Sequence, residues 1–186
     1  RVEAKLYYGK PAQASSLNNL GVFYTRTGQL DSALYYYNLA TTVLGGIAHD
    51  SILYCSIRDN LAQEQVNKGN YASALPTYQF NDSIYVREGR WSRVLANRVR
   101  WLTAKQHIGL PIAKEIEALE QFVMAKKKQL RDEDILTFYK FAKAYFFKAQ
   151  KTEAAQHFDA VFLSEQERVE QKEKAQLEIS RQKYKR

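Results

Sequence analysis

The chain has 186 residues, 45% of them hydrophobic, with only 3 Pro and 8 Gly. It is long enough for one folded domain or a few stacked repeats, and too poor in breakers for a turn-rich β architecture, which leaves an all-α fold. Its net charge of +8 is uneven: residues 1–86 carry six Lys/Arg against six Asp/Glu, and residues 87–186 carry 22 against 14, an excess suited to a nucleic acid, an anionic membrane surface or an acidic peptide. The single cysteine, Cys55, excludes an internal disulfide and a cysteine-rich zinc site and reads as a small buried hydrophobe.

The chain opens at Arg1 without a Met and is read as a fragment. Its opening RVEAKLYY has no signal-peptide core, and no run of 18 apolar residues spans a membrane. Residues 1–9 read as the end of a helix whose hairpin partner is missing, with Leu6, Tyr7 and Tyr8 needing cover. Four turn signals follow, Thr27-Gly28-Gln29, Lys68-Gly69-Asn70, Ile108-Gly109-Leu110-Pro111 and Lys148-Ala149-Gln150, spaced by 41, 40 and 40 residues. The segments between them predict helices near 11–27, 30–44, 49–68, 71–87, 90–108, 111–128, 131–149 and 151–184, which make four helical hairpins. Pro111 is expected in a helix's first turn, where its missing N–H costs little.

Five or six residues after each turn stands a small residue, namely Ala33, Ala74, Ala113 and Ala154 or Ala155, and four further on stand Tyr37, Tyr78 and Phe158. The third unit departs from this, offering Glu117 and then Ala118. The run Leu17-x2-Leu20-Gly21-x2-Tyr24, then Gly28, then Ala33-x3-Tyr37-x2-Ala40 resembles the tetratricopeptide (TPR) signature, with Leu17 in place of its leading Trp. Gly21 and Ala33 are read as letting paired helices approach, Tyr24 and Tyr37 as filling the gap, and Gly28 as permitting the turn. Leu61-Ala62, Gly69, Ala74 and Tyr78 continue the pattern, as do Phe138, Phe141-Ala142, Tyr145, Ala154 and Phe158; Trp101-Leu102 and Gly109 give a weaker third repeat. The period near 40 also suits helical repeats of the HEAT class, but the TPR pattern accounts for the whole run from Leu17 to Ala40.

The resemblance implies an α-solenoid, a right-handed superhelix of about four stacked antiparallel hairpins with a long C-terminal helix. A TPR-like domain is expected over 1–163, with repeats near 14–47, 55–88, 92–128 and 135–163, and over 164–186 a charged helical extension or a linker to a missing module. In this family the first helix of each hairpin lines the ligand groove, which places there Asn18, Val22, Thr25 and Arg26, then Asp59, Gln63 and Asn67, then Tyr139, Lys143 and Phe146. Their amides, charges and aromatic rings suit an extended peptide. Asn19 and Asn60 stand where some members carry a carboxylate clamp, but Asn18 replaces its Lys, which argues against that clamp.

Arg87, Arg90, Trp91, Arg93, Arg98, Arg100, Trp101 and Lys105 interleave cations with indoles. Arg90, Arg93, Arg98, Arg100 and Lys105 are therefore a candidate anion-binding set, although solvated cations and a core Trp are the plainer reading of such a helix, and nucleic-acid binding is not the expectation. From Ser164 to Arg186 the sequence is strongly charged, with Val169, Leu177, Ile179 and Tyr184 as sparse apolar positions; its basic, aromatic end has the look of a segment approaching a membrane. His49, His107 and His157 are scattered, and no phosphate loop or nucleophile elbow occurs. The acidic run Asp132, Glu133 and Asp134 reads as capping and dipole compensation.

These features predict a protein- or peptide-binding scaffold that is not an enzyme, with no catalytic residue, no cofactor and no metal. Long degenerate repeats, Tyr-rich second helices and a charged exit helix are similar to the sensor portion of membrane-tethered bacterial transcriptional regulators. That resemblance implies an extracytoplasmic sensor tethered beyond Arg186. A cytoplasmic assembly scaffold and a basic nucleic-acid binder are the alternatives.

Overall fold

The computed structural model describes residues 2–48 and 50–183, with side chains over 9–48 and 50–182. The described residues form eight α-helices, one 3-10 turn and no strand. In order these are α1 (Val2–Arg26), α2 (Leu30–Leu44), α3 (Ser51–Asn67), α4 (Tyr71–Arg87), α5 (Trp91–His107), α6 (Ala113–Lys126), the 3-10 turn Lys127–Gln129, α7 (Asp132–Lys148) and α8 (Thr152–Lys183). They fall into two compact units, Arg1–Ile112 with α1 to α5 and Ala113–Arg186 with α6 to α8.

Helix boundaries follow the turn signals closely, with two corrections. Residues 2–9 are not the end of a separate helix: α1 runs unbroken through Pro11. One proline deletes a single main-chain hydrogen bond, a cost a long helix with a packed partner can absorb. Leu6, Tyr7 and Tyr8 lie outside the residues whose side chains are described. Pro111, expected in the first turn of a helix, precedes it instead, because α6 begins at Ala113 after a non-helical stretch that carries the fully buried Ile112.

One turn design closes five helices. Gly28, Gly69, Gly89 and Gly109 have φ of 75°, 82°, 64° and 78°, and Gln150 has 56°. In the first, the Gly28 N–H donates to Thr25 O at 3.1 Å and the Gln29 N–H to Tyr24 O at 2.9 Å, and the others repeat both bonds. These bonds satisfy carbonyls that the helix end leaves open. Gln150 adopts this left-handed backbone without glycine's freedom, at a cost of about 1–2 kcal/mol.

In unit 1 the hairpin α1/α2 closes at the expected place. A Cβ on Gly21 would lie 2.4 Å from the Tyr37 ring, so only glycine admits that buried tyrosine between the helices. Ala14, Ala33, Ala40, Leu44 and Ile57 complete this cluster, with Leu17 and Tyr24 packed on it. A second cluster joins Ala62, Ala74, Tyr78 and Ala104, with Trp101 at its edge. Cys55 is fully buried as expected, and burial pushes its thiol up to about 12. Asparagines tie successive helices: Asn81 Nδ2 on α4 donates to the Cys55 carbonyl at 2.9 Å, and Asn97 Nδ2 on α5 donates to the Tyr78 carbonyl at 2.8 Å.

In unit 2 the α7/α8 hairpin is closed by aromatic rings. Phe158 stacks on Phe146 at 5.2 Å between centroids and meets Phe138 edge-on at 6.3 Å. The acids at the start of α7 sit in its first turn, where they complement the helix dipole, but none is the cap, which is Arg131 without a side-chain cap bond. Asp132 instead reaches α8, accepting from Lys172 Nζ at 2.7 Å and from Arg168. Arg168 also pairs with Glu165 at 2.8 Å, and Glu165 accepts from Lys127.

Candidate functional site

The first helices of unit 1 meet through side-chain amides and hydroxyls. On α1, Asn18, Val22 and Thr25 lie at i, i+4 and i+7; on α3, Asn60, Gln63, Glu64 and Asn67 share one face at helical spacing. Asn60 Nδ2 donates to Asn18 Oδ1 at 2.9 Å, and the Thr25 hydroxyl donates to Glu64 Oε1 at 2.6 Å. Glu64 is 1% exposed, and its other oxygen accepts from Asn67 Nδ2 at 3.2 Å. Gln63 Nε2 donates to Asn67 Oδ1 at 3.2 Å, and Tyr37 Oη lies 3.1 Å from the Thr25 hydroxyl. Asn18 and Gln63 are half-buried and Asn67 is exposed, so this strip still presents amide groups to solvent. Val22 packs against the Tyr37 cluster, and Arg26 is exposed at the end of α1.

Three expected groove residues belong to the interior instead. Asp59 is buried, accepting from Asn81 Nδ2 and from the Tyr85 hydroxyl, both at 2.7 Å, with Arg100 Nη1 at 3.9 Å. Burial raises its carboxyl above the usual range, against the hydrogen bonds from Tyr85 and Asn81 that favour the charged form. The Tyr85 hydroxyl is likewise pushed up, first by burial and then by Asp59. Tyr139 and Phe146 are also buried, Phe146 beneath Phe158 and Tyr139 with its phenol pushed up to about 12 by burial. They share the core stripe of Ile135, Phe138 and Ala142, and the periodicity of that stripe marks the buried face of α7. Lys143 remains at the surface, bonded to Asp159 at 2.7 Å and lying 4.3 Å from the Phe162 ring centroid.

The basic set on α5 divides by helix geometry. Arg93 and Arg100, seven residues apart, share one side; Arg98 and Lys105, also seven apart, lie roughly 140° round from Arg93 at about 100° per residue. Arg93 Nη1 donates to Ser56 Oγ at 2.8 Å, and its guanidinium lies 5.8 Å from the Tyr85 ring centroid. Arg98 holds Asp82 through two bonds of 2.9 Å, a paired geometry that neutralises its charge. Lys105 lies over Trp101 at 5.2 Å, and Arg90 is exposed ahead of the helix. Arg93, Arg98 and Arg100 thus reach from α5 to α3 and α4, and Trp101 packs on the core.

An open groove of about 960 Å³ runs along one side of the α7/α8 hairpin. From α7 it is lined by Lys140, Lys143, Ala144, Phe147 and Lys148, and across the turn and α8 by Gln150, Lys151, Ala155 and Asp159. Phe147 is 80% exposed there. Of this group the sequence points only Lys143 toward a ligand; Lys148 and Gln150 stand out as a turn and Ala155 as a close helix contact. The signal is present in the spacing 140, 143, 144, 147 and 148, which puts all five on one side of a helix.

No group of His, Cys, Asp or Glu among the described residues is arranged to hold a metal ion, and no described helix is long and apolar enough to cross a membrane. The fold is that of a TPR-like helical repeat protein. Among solved structures it is similar to the nearly identical TPR-like repeats assigned to a kinesin light chain of Podosopora anserina: the TM-score is 0.63 at 23% identity, covering 86% of this chain and 77% of that one. For a variant form of those repeats the TM-score is 0.66 at 22% identity, covering 87% of this chain and 78% of that one. No family model and no curated protein matches the sequence.

Proposed function

We propose that this chain is a non-enzymatic scaffold that binds a protein or peptide through the amide-bearing strip on α1 and α3. The observation that carries this reading is the pair of amide–amide bonds, Asn60 to Asn18 and Gln63 to Asn67, the latter anchored to the buried Glu64. Amides offer both donors and acceptors, and held in place by one another they match the alternating N–H and C=O groups of an extended backbone at little entropic cost. Phage selection of random peptides on the intact chain should enrich binders that compete with one another, and the double variant Gln63→Ala/Asn67→Ala should weaken them by about tenfold. Failure to enrich any peptide, or binders indifferent to that variant, would contradict it.

A finer reading makes this scaffold the sensing part of a membrane-tethered bacterial regulator. The feature in its favour is α8, whose 32 residues continue well beyond its partner α7 as a solvated helix, with Leu177 and Ile179 exposed and able to lead into another module. The native gene beyond residue 186 tests this: an apolar run of about 20 residues supports it, and further repeats argue for an assembly scaffold. Nucleic-acid binding through α5 is disfavoured because Arg98 is committed to Asp82 and Arg100 approaches Asp59.

A further inference from the structure

We infer that the α7/α8 groove is a second docking surface, and that its occupant is an acidic amphipathic helix of a partner protein. Lys140, Lys148 and Lys151 have no ion-pair partner among the described residues, and Asp159, the groove's acid, is taken by Lys143. Three cations are thus available around Phe147, a ring exposed far beyond what the hairpin's own packing requires. Ala144 and Ala155 leave room between the two helices, and a channel between antiparallel helices with small side chains receives the ridge of a third helix. From Lys140 to Lys148 the groove spans about 12 Å, or two helical turns, at about 1.5 Å per residue. Glutamates flanking a Leu or Phe would meet the lysines while the apolar side chain covers Phe147.

Charge argues for a partner rather than a second copy. The chain carries a net charge of +8, so a second copy would approach the basic groove with like charge, whereas an acidic partner would be attracted to it. The inference extends the scaffold reading to a different face and can fail independently of it.

The test is fluorescence anisotropy of the intact chain with a labelled synthetic helix of roughly 14 residues, carrying leucines at i, i+4 and i+7 between glutamates. The expected result is micromolar binding, weakened about tenfold by Phe147→Ala and again by Lys148→Glu/Lys151→Glu, and unchanged by Gln63→Ala/Asn67→Ala. All of these groove positions are exposed, so helicity by circular dichroism should match the parent. Absence of binding overturns the inference. So does binding that persists in Phe147→Ala and is matched by single-stranded DNA, because the lysines would then be responding to charge alone. Loss of binding in Gln63→Ala/Asn67→Ala would place the helix on the α1/α3 strip and also overturn it.

Discussion

Each of the two units is held together internally, and by different chemistry. Unit 1 has surface ion pairs such as Arg98–Asp82 and Lys68–Asp31, but its deepest inter-helix links are desolvated: Asn81 and Asn97 reach main-chain carbonyls, and Asp59 sits buried between Asn81 and Tyr85. In unit 2 the corresponding links are a chain of ion pairs, running from Lys127 through the buried Glu165 to Arg168, Asp132 and Lys172, whose cations stand at the edge of solvent. Buried partners cannot be replaced by water when one is lost, whereas exposed pairs can, so unit 1 should be brittle to mutation and unit 2 sensitive to pH and salt.

The largest effect expected from this contrast is Asp59→Ala, which strands the Asn81 amide and the Tyr85 hydroxyl in the interior and should cost about 2–5 kcal/mol. Denaturant melts followed by tryptophan fluorescence report on unit 1 directly, since both tryptophans, Trp91 and Trp101, lie on α5. A loss below about 0.5 kcal/mol would mean that the network does not bind these helices together.

Acid should separate the units by sign. The Asp59 carboxyl titrates above the ordinary range in the fold, so unit 1 gains stability as pH falls through that folded value toward about 3.9, and loses it as pH rises again. Asp132 is held below the usual range by Lys172 and Arg168, so its contribution is present above about 3.9 and lost as pH falls further. Burial pushes Glu165 upward, but Lys127 and Arg168 outweigh it, and it too is held low. Residue-resolved amide exchange should therefore show α7 and α8 loosening below about pH 4 while α3 to α5 do not; the reverse order would break the comparison.

What the sequence discloses follows the same division. Gly28, Gly69 and Gly109 are legible because a left-handed turn favours glycine, and Tyr37, Tyr78 and Phe158 because a bulky ring four residues after a small one marks a close helix pair. At the fourth turn Lys148-Ala149-Gln150 marks the place but not the backbone, because no residue type announces a left-handed glutamine. Asp59 reads as part of the ligand face because an acid on a helix ordinarily faces water; its partners Asn81 and Tyr85 stand 22 and 26 residues away, where spacing gives no warning. Tyr139 and Phe146 are misplaced by carrying over the family register at positions where the local apolar period already marks the core.

The turn at residue 150 gives the smallest effect. Gln150→Gly should stabilise the α7/α8 hairpin by up to about 1 kcal/mol by relieving its positive φ, less whatever the greater freedom of glycine in the unfolded chain costs. A loss of stability would show that the glutamine side chain holds that turn.

The claim that this repeat binds through α1 and α3 is tested most directly by placing a photo-cross-linking residue at position 63, on the amide strip, or at position 35, where Tyr35 is 63% exposed on α2. With a peptide selected on the intact chain, irradiation should capture it from position 63 and not from position 35. Capture from position 35 alone, or from neither site at saturating peptide, would contradict the account.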